Sequence, residues 1–212
     1  MKATIADVGV TACFATPVIA AQLAEAAKLN EQLARTIMQR EGATKGTEHS
    51  NLGGWQSSWD FQDWGGPPIK AVLDAAKQLA NRYTADRQGR PVQIDWKVNC
   101  WANVNRSGHA NVVHTHPGCY WSGSYYVDDG GVGADPRLGG EFEMQDPRGV
   151  GPAMYAPSLA YALPGMLSVG ASETIPPKAG MLILFPPWLP HGVLPYRGNR
   201  TRISIAFNLS VY

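Results

Sequence analysis

Three of the five histidines in this 212-residue chain fall where they could share one metal ion. His114 and His116 flank Thr115 at the end of an apolar strand that carries Val112 and Val113. Side chains at i and i+2 of a strand point to the same face, so one short segment can offer two imidazoles to one point. His191 lies far along the chain, after the apolar run 181–185 and the turn-forming PPWLP. Two ligands from one strand end and a third from a distant strand can meet on one ion, and neutral imidazole suits iron, zinc, copper and nickel. His49 and His109 sit in polar loop contexts, where a solvated or locally hydrogen-bonded ring is expected.

A second constellation lies in RTRISIAFN near the end of the chain, where Arg202 and Ser204 share a strand face. An arginine turned into an apolar interior is costly unless an anion meets it, and its planar fork suits a carboxylate. A hydroxyl two residues on can add one more hydrogen bond to that anion. If Ile203, Ile205 and Phe207 pack outward against helices, then Arg202, Ser204 and Ala206 face inward. In the opposite arrangement Arg202 sits in solvent, and alternation alone permits both.

The elements that must position these groups divide the chain in two. Residues from about 17 to 40 are rich in Ala, Leu, Gln, Glu and Lys, with Leu23, Ala26, Ala27, Leu33 and Ile37 at helical spacing. Gly42 and Gly46 end that pattern, and the irregular stretch SNLGGWQSSWDFQDWGGPP follows. A second amphipathic helix is expected from about 67 to 85, with Ile69, Val72, Leu73, Ala76 and Leu79 on one stripe and prolines at its start. After Gly89, short segments rich in β-branched and aromatic residues alternate with turns: VQIDWKVNCWANV, ANVVHTH, WSGSYYV, GEFEMQ, MLILF, HGVLPY and TRISIAFNLSVY. Short strands without helices between them imply an antiparallel sandwich, jelly roll or barrel. Residues 145–175 carry little periodic signal, as binding loops often do. The expected organisation is one domain over 1–212, mostly helical to 90 and a β core from 91.

Composition narrows the partners. A net charge of +1 with scattered Lys and Arg leaves no basic stripe for nucleic acid or an anionic membrane. The N-terminal apolar run is too short for a membrane span, and Asp7 and Pro17 interrupt it, so it reads as mature protein. Cys13, Cys100 and Cys119 are odd in number and lack CxxC spacing. That points away from a disulfide framework or structural zinc and towards a reducing cytoplasm.

The order HxH, a strand with YYV, GGEFEMQDPR, GMLILFPPWLPHGVLPY and RISIAFN resembles the 2-oxoglutarate/iron(II) oxygenase superfamily. It is similar, more narrowly, to an uncharacterised bacterial and phage group of 2OG-Fe(II) oxygenases, a likeness that SNLGGWQS extends over nearly the whole chain. The resemblance implies a mainly β, α+β protein whose core is a double-stranded β-helix (jelly-roll, cupin-like), using Fe(II) with 2-oxoglutarate as cosubstrate. The superfamily's metal motif is HxD or HxE with a distal histidine. Here His114 and His191 match the two histidines, and His116 stands where the carboxylate belongs. Either His116 completes a three-histidine site, or water takes that place, or an acid such as Asp128 or Glu141 reaches the metal.

The same resemblance implies that Arg202, with Ser204, binds the far carboxylate of 2-oxoglutarate. Tyr126 matches a tyrosine that assists it in prolyl-hydroxylase-like members, and Asn103 is a further cosubstrate candidate. Substrate, a small molecule or a peptide, would meet loops at the barrel mouth, where Trp55, Arg148 and the 149–174 loop are candidates. Trp55 and Trp59 could equally pack helices on the barrel. A site of three imidazoles binds metal only when all are neutral, so iron affinity should fall between about pH 7 and 5.5. A cupin-type three-histidine dioxygenase without 2-oxoglutarate, and a non-catalytic metal or small-molecule binding domain, are the alternatives on the same scaffold.

Overall fold

The computed structural model describes residues 8–10, 13–162, 170 and 172–212. The reading of the extreme N-terminus as mature protein therefore falls largely outside the described residues, as does part of the 149–174 loop. Eleven strands form two antiparallel sheets among the described residues. The larger contains β1 (Ile19–Gln22), β3 (Trp55–Gln56), β4 (Lys97–Asn105), β6 (Trp121–Asp128), β9 (Met181–Phe185) and β11 (Arg202–Ser210), in the order β1-β9-β6-β11-β4-β3. The smaller contains β2 (Asn51–Leu52), β5 (Ala110–His114), β7 (Phe142–Gln145), β8 (Ser172–Ile175) and β10 (His191–Val193), in the order β2-β5-β10-β7-β8. Of the sandwich, jelly roll and barrel that the strand spacing left open, this is the jelly roll that the family resemblance implied.

Alternation along the strands divides the larger sheet into two unlike faces. One carries Cys100, Ala102 and Val104 of β4, Tyr125 and Val127 of β6, and Ile203, Ile205, Phe207 and Leu209 of β11. These pack beneath α1 (Ala26–Ala43) and α3 (Gly66–Arg82), which contribute Leu33, Ile37, Ile69, Val72, Leu73, Ala76 and Ala80. The opposite face looks towards the smaller sheet. A second apolar cluster, Tyr126, Phe142, Met144, Ile183, Phe185 and Leu189, lies there.

Four expectations are revised. The first helix starts at Ala26, not near Pro17, because Ile19–Gln22 pairs with β9 as the sheet's edge strand and Glu25 turns the chain with φ 54°. A pairing partner so distant in sequence overrides local helix propensity. The segment expected as a strand from Val92 enters the sheet only at Lys97. Before that, Asn81 of α3 holds it, accepting from Ile94 N (3.0 Å) and Trp96 Nε1 (2.9 Å). The Gly/Trp-rich stretch is not wholly irregular: it holds β2, β3 and the single helical turn α2 (Phe61–Trp64). Finally, the weakly patterned 145–175 region contains α4 (Gly151–Tyr155) and β8, which pairs with β7. No helix among the described residues is long and apolar enough to cross a membrane.

Candidate metal centre

The pairing of β10 with β5 makes His191 the direct cross-strand partner of His114. Gly192 permits this approach, since a Cβ there would lie 2.9 Å from the Asn111 carbonyl. His116 departs from the simple same-strand picture. The strand ends at His114 with its last pairing partner, and His116 lies beyond it. Its backbone N–H instead donates to Pro187 O at 2.9 Å, and its ring lies against Trp101 with centroids 5.8 Å apart. The ring still reaches the same point, with its Nε2 3.1 Å from His191 Nε2. One nitrogen from each of His114, His116 and His191 lies within 4.8 Å of the others. Two nitrogens each about 2.1 Å from one ion, at a right angle, lie about 3 Å apart, so the spacing suits neighbouring ligands. His114 Nδ1 meets Val112 O at 2.8 Å and His191 Nδ1 meets Leu189 O at 2.7 Å. A carbonyl only accepts, so both rings carry their proton on Nδ1 and leave Nε2 free to bind metal.

The rings are held neutral. Burial, followed by the neighbouring His191 and His114 rings, pulls His116 down to about 3. Burial pulls His191 down to about 4 against the opposing Leu189 hydrogen bond. His114 is lowered by burial, opposed by its bond to Val112 and aided by His49. Burial of the three imidazoles opposes the proton that would compete with a metal for them.

The histidines open on a pocket of about 520 Å³, counting its mouth, between the two sheets. Arg202, Ser204, Asn103 and Tyr126 all line it, as alternation on β11, β4 and β6 requires. Arg202 is 1% exposed, and none of the ion pairs among the described residues includes it. Its Nε has no hydrogen-bond partner, its Nη1 reaches only Asn105 Oδ1 at 3.5 Å, and its guanidinium lies 5.4 Å from the Tyr126 ring centre. Burial lowers its pKa and raises that of Tyr126, yet a guanidinium stays charged in proteins. A buried cation without an anion is costly, and a carboxylate would relieve it. The pocket thus fits a dicarboxylate at one end and a metal at the other.

Other candidates are placed elsewhere. Trp55 does not line the pocket: it is buried beneath α1, its Nε1 donating to Thr44 O at 3.0 Å. The small strand β3 turns its ring to the helix side of the sheet. Arg148 also lies off the pocket lining, ion-paired with Asp146 at 2.6 Å. Asp128 turns to Arg200 at 3.3 Å, and neither it nor Glu141 joins the histidine cluster. His109 is locally bonded as expected, accepting from Arg106 N at 2.9 Å. Trp101, Phe142, Phe185, Ser50 and Asn111 line the pocket and were not singled out from sequence. Trp101 shares a strand face with Asn103, which was the one available signal; the others depend on sheet pairing.

A jelly roll with a three-histidine cluster and a buried, unpaired arginine facing one cavity defines a metal-dependent enzyme of the double-stranded β-helix class. A family model described as "Putative 2OG-Fe(II) oxygenase" matches residues 99–208, just over half of the chain. The chain belongs to this family of iron(II)- and 2-oxoglutarate-dependent oxygenases. Solved structures agree in fold. A Pseudomonas putida prolyl-4-hydroxylase is 21% identical, covering 91% of this chain and 92% of its own, with a TM-score of 0.61. A Trichoplax adhaerens prolyl hydroxylase, solved with a hypoxia inducible factor peptide fragment, is 13% identical over 92% and 83% of the two chains, TM-score 0.60. The carbocyclase SnoK of nogalamycin biosynthesis is 11% identical over 92% and 79%, TM-score 0.61. No curated protein matches the chain significantly.

Proposed function

We propose that His114, His116 and His191 hold the iron(II) of this oxygenase, and that Arg202 anchors the remote carboxylate of 2-oxoglutarate with help from Ser204 and Tyr126. The single observation behind this reading is the buried Arg202 guanidinium, unpaired at Nε, in the same pocket as the three imidazoles. When bound, iron and 2-oxoglutarate supply the oxidation, coupling decarboxylation to succinate with oxygenation of a substrate C–H bond. The chain's residues do the rest. His114, His116 and His191 would hold the ion through three imidazoles, a donor set that would leave it able to take further ligands. Phe142 and Phe185 line the pocket with their rings against His191, and Asn103 offers a further polar contact beside Ser204, its cross-strand partner.

The substrate is read as a small molecule or a peptide entering at the mouth, the Trichoplax relative having been solved with a peptide. Three unpaired cysteines, one of them exposed, favour a reducing compartment such as the cytoplasm. The chain is read as one functional unit, helices backing the catalytic sheet.

Anaerobic addition of Fe(II) and 2-oxoglutarate tests the assignment. A visible charge-transfer band that Arg202→Ala abolishes is expected, followed by succinate release in air. Iron binding without that band would overturn the cosubstrate assignment and leave a three-histidine dioxygenase that does not use 2-oxoglutarate.

A further inference from the structure

His116 differs from the other two histidines in what holds its far nitrogen. His114 and His191 face backbone carbonyls, which force the Nδ1–H form. His116 Nδ1 instead faces the side-chain amide of Asn208, whose Nδ2 lies 3.4 Å away. Asn208 sits on β11 directly opposite Ser122 of β6, and its Oδ1 accepts from Ser122 Oγ at 2.8 Å. In this orientation the hydrogen bonds run as one continuous chain. Ser122 donates to Asn208, Asn208 donates to His116 Nδ1, and His116 Nε2–H donates to His191 Nε2 at 3.1 Å. His191 Nδ1–H completes it at Leu189 O. That arrangement places the His116 proton on Nε2, the atom a metal would need.

A neutral imidazole carries one N–H, so giving Nε2 to a metal requires the proton on Nδ1. Nδ1–H then needs an acceptor. The two ends of a carboxamide exchange places by rotation about one bond. With Oδ1 turned to His116, Asn208 Nδ2 faces Ser122 Oγ, which can accept. The Ser122 hydroxyl is then free to turn to Cys119 Sγ, 3.5 Å away.

We propose that Asn208 is the positioning residue that makes His116 a metal ligand: its amide rotates so that Oδ1 holds the His116 Nδ1–H while Nε2 binds the ion. The proposal rests on His116 being a ligand. It explains how a histidine can stand in the carboxylate's place, because a ligand imidazole needs an acceptor behind it and, among the described residues, Asn208 is the group that faces His116 Nδ1.

The test compares wild type, Asn208→Leu, Asn208→Asp and His116→Ala. Zn(II) and Co(II) affinity is measured by chelator competition, and ring ¹⁵N shifts of histidine-labelled wild type are recorded before and after Zn(II). Asn208→Leu is expected to weaken binding about 10- to 100-fold, the usual effect of losing an outer-shell partner. Asn208→Asp, whose carboxylate accepts from Nδ1–H, should bind within about threefold of wild type or tighter. The His116 proton should move from Nε2 to Nδ1 when Zn(II) is added. Unchanged affinity in Asn208→Leu, an Asn208→Asp protein as weak as Asn208→Leu, or a His116 tautomer that Zn(II) does not alter would each overturn the role of Asn208. His116→Ala separates the two levels. If it binds metal like wild type, the three-histidine reading itself fails; if it loses metal while Asn208→Leu does not, only the positioning role fails.

Discussion

The two faces of the six-stranded sheet carry residues from the same strands and are built by opposite rules. On the helix side, β11 presents Ile203, Ile205, Phe207 and Leu209 to α1 and α3, and burial there is matched by close apolar contact. On the cavity side the same strand presents Arg202, Ser204, Ala206 and Asn208, and burial leaves a cation without an anion and a guanidinium Nε without a partner. One face is satisfied by the chain itself. The other is satisfied by what it binds, so substitutions on the two faces should separate stability from function.

The widest separation is expected at the histidines. His191→Ala should abolish iron-dependent 2-oxoglutarate turnover, because it removes a ligand opposite His114, while leaving a folded protein by circular dichroism. A variant that keeps measurable succinate production would remove His191 from the centre. On the helix side, Phe207→Ala should cost about 3–5 kcal/mol in urea unfolding, the range for truncating a fully buried phenylalanine. Its 2-oxoglutarate affinity, measured where it remains folded, should stay near that of wild type.

Arg202→Met sharpens the contrast because its two effects have opposite signs. The dissociation constant for 2-oxoglutarate should rise about 30- to 100-fold, corresponding to about 2–3 kcal/mol for a hydrogen-bonded charge pair lost. The melting temperature of the protein without cosubstrate should hold or rise, because an uncompensated buried charge has been removed. A clear drop in stability would mean that Arg202 already has its partner within the fold.

Acid provides a gentler probe of the cavity side. His116 and His191 titrate at about 3 and about 4 in the fold, against about 6.5 in an unfolded chain. Between those values the unfolded chain binds more protons, so stability should be flat above about pH 7 and fall as pH drops from about 6.5 towards 4. Asp146, lowered to about 2 chiefly by Arg148, works in the same direction only below about pH 4. Thermal melts with a chelator present would show this slope, and His116→Asn should flatten it. The smallest effect is expected at Tyr126→Phe. If its hydroxyl assists Arg202, isothermal titration should record about a fivefold weaker 2-oxoglutarate complex, roughly 1 kcal/mol.

Local pattern made much of this protein legible. The apolar stripe of α3, the short strands of the β half and the shared face of Arg202 and Ser204 follow from periodicity, because alternation and helical spacing are properties of neighbouring residues; which face of β11 turns inward does not. His114 and His191 stood out for the same reason: each sits at the end of a recognisable strand. Edge strand β1 was read as helix because its strand partner among the described residues is β9, far along the chain. Trp55 was equally open to packing and to binding until pairing with Val104 turned it beneath the helices.

By itself, then, the sequence determined which residue types were available, which residues share a strand face, and an antiparallel β core whose jelly-roll form the family resemblance implied. Tertiary structure alone decided how His116, lying past the end of its strand, reaches His191, and that Asn208 of β11 stands behind it. Those are contacts between segments with no local relation, set by sheet pairing and burial, and no period in the chain encodes them.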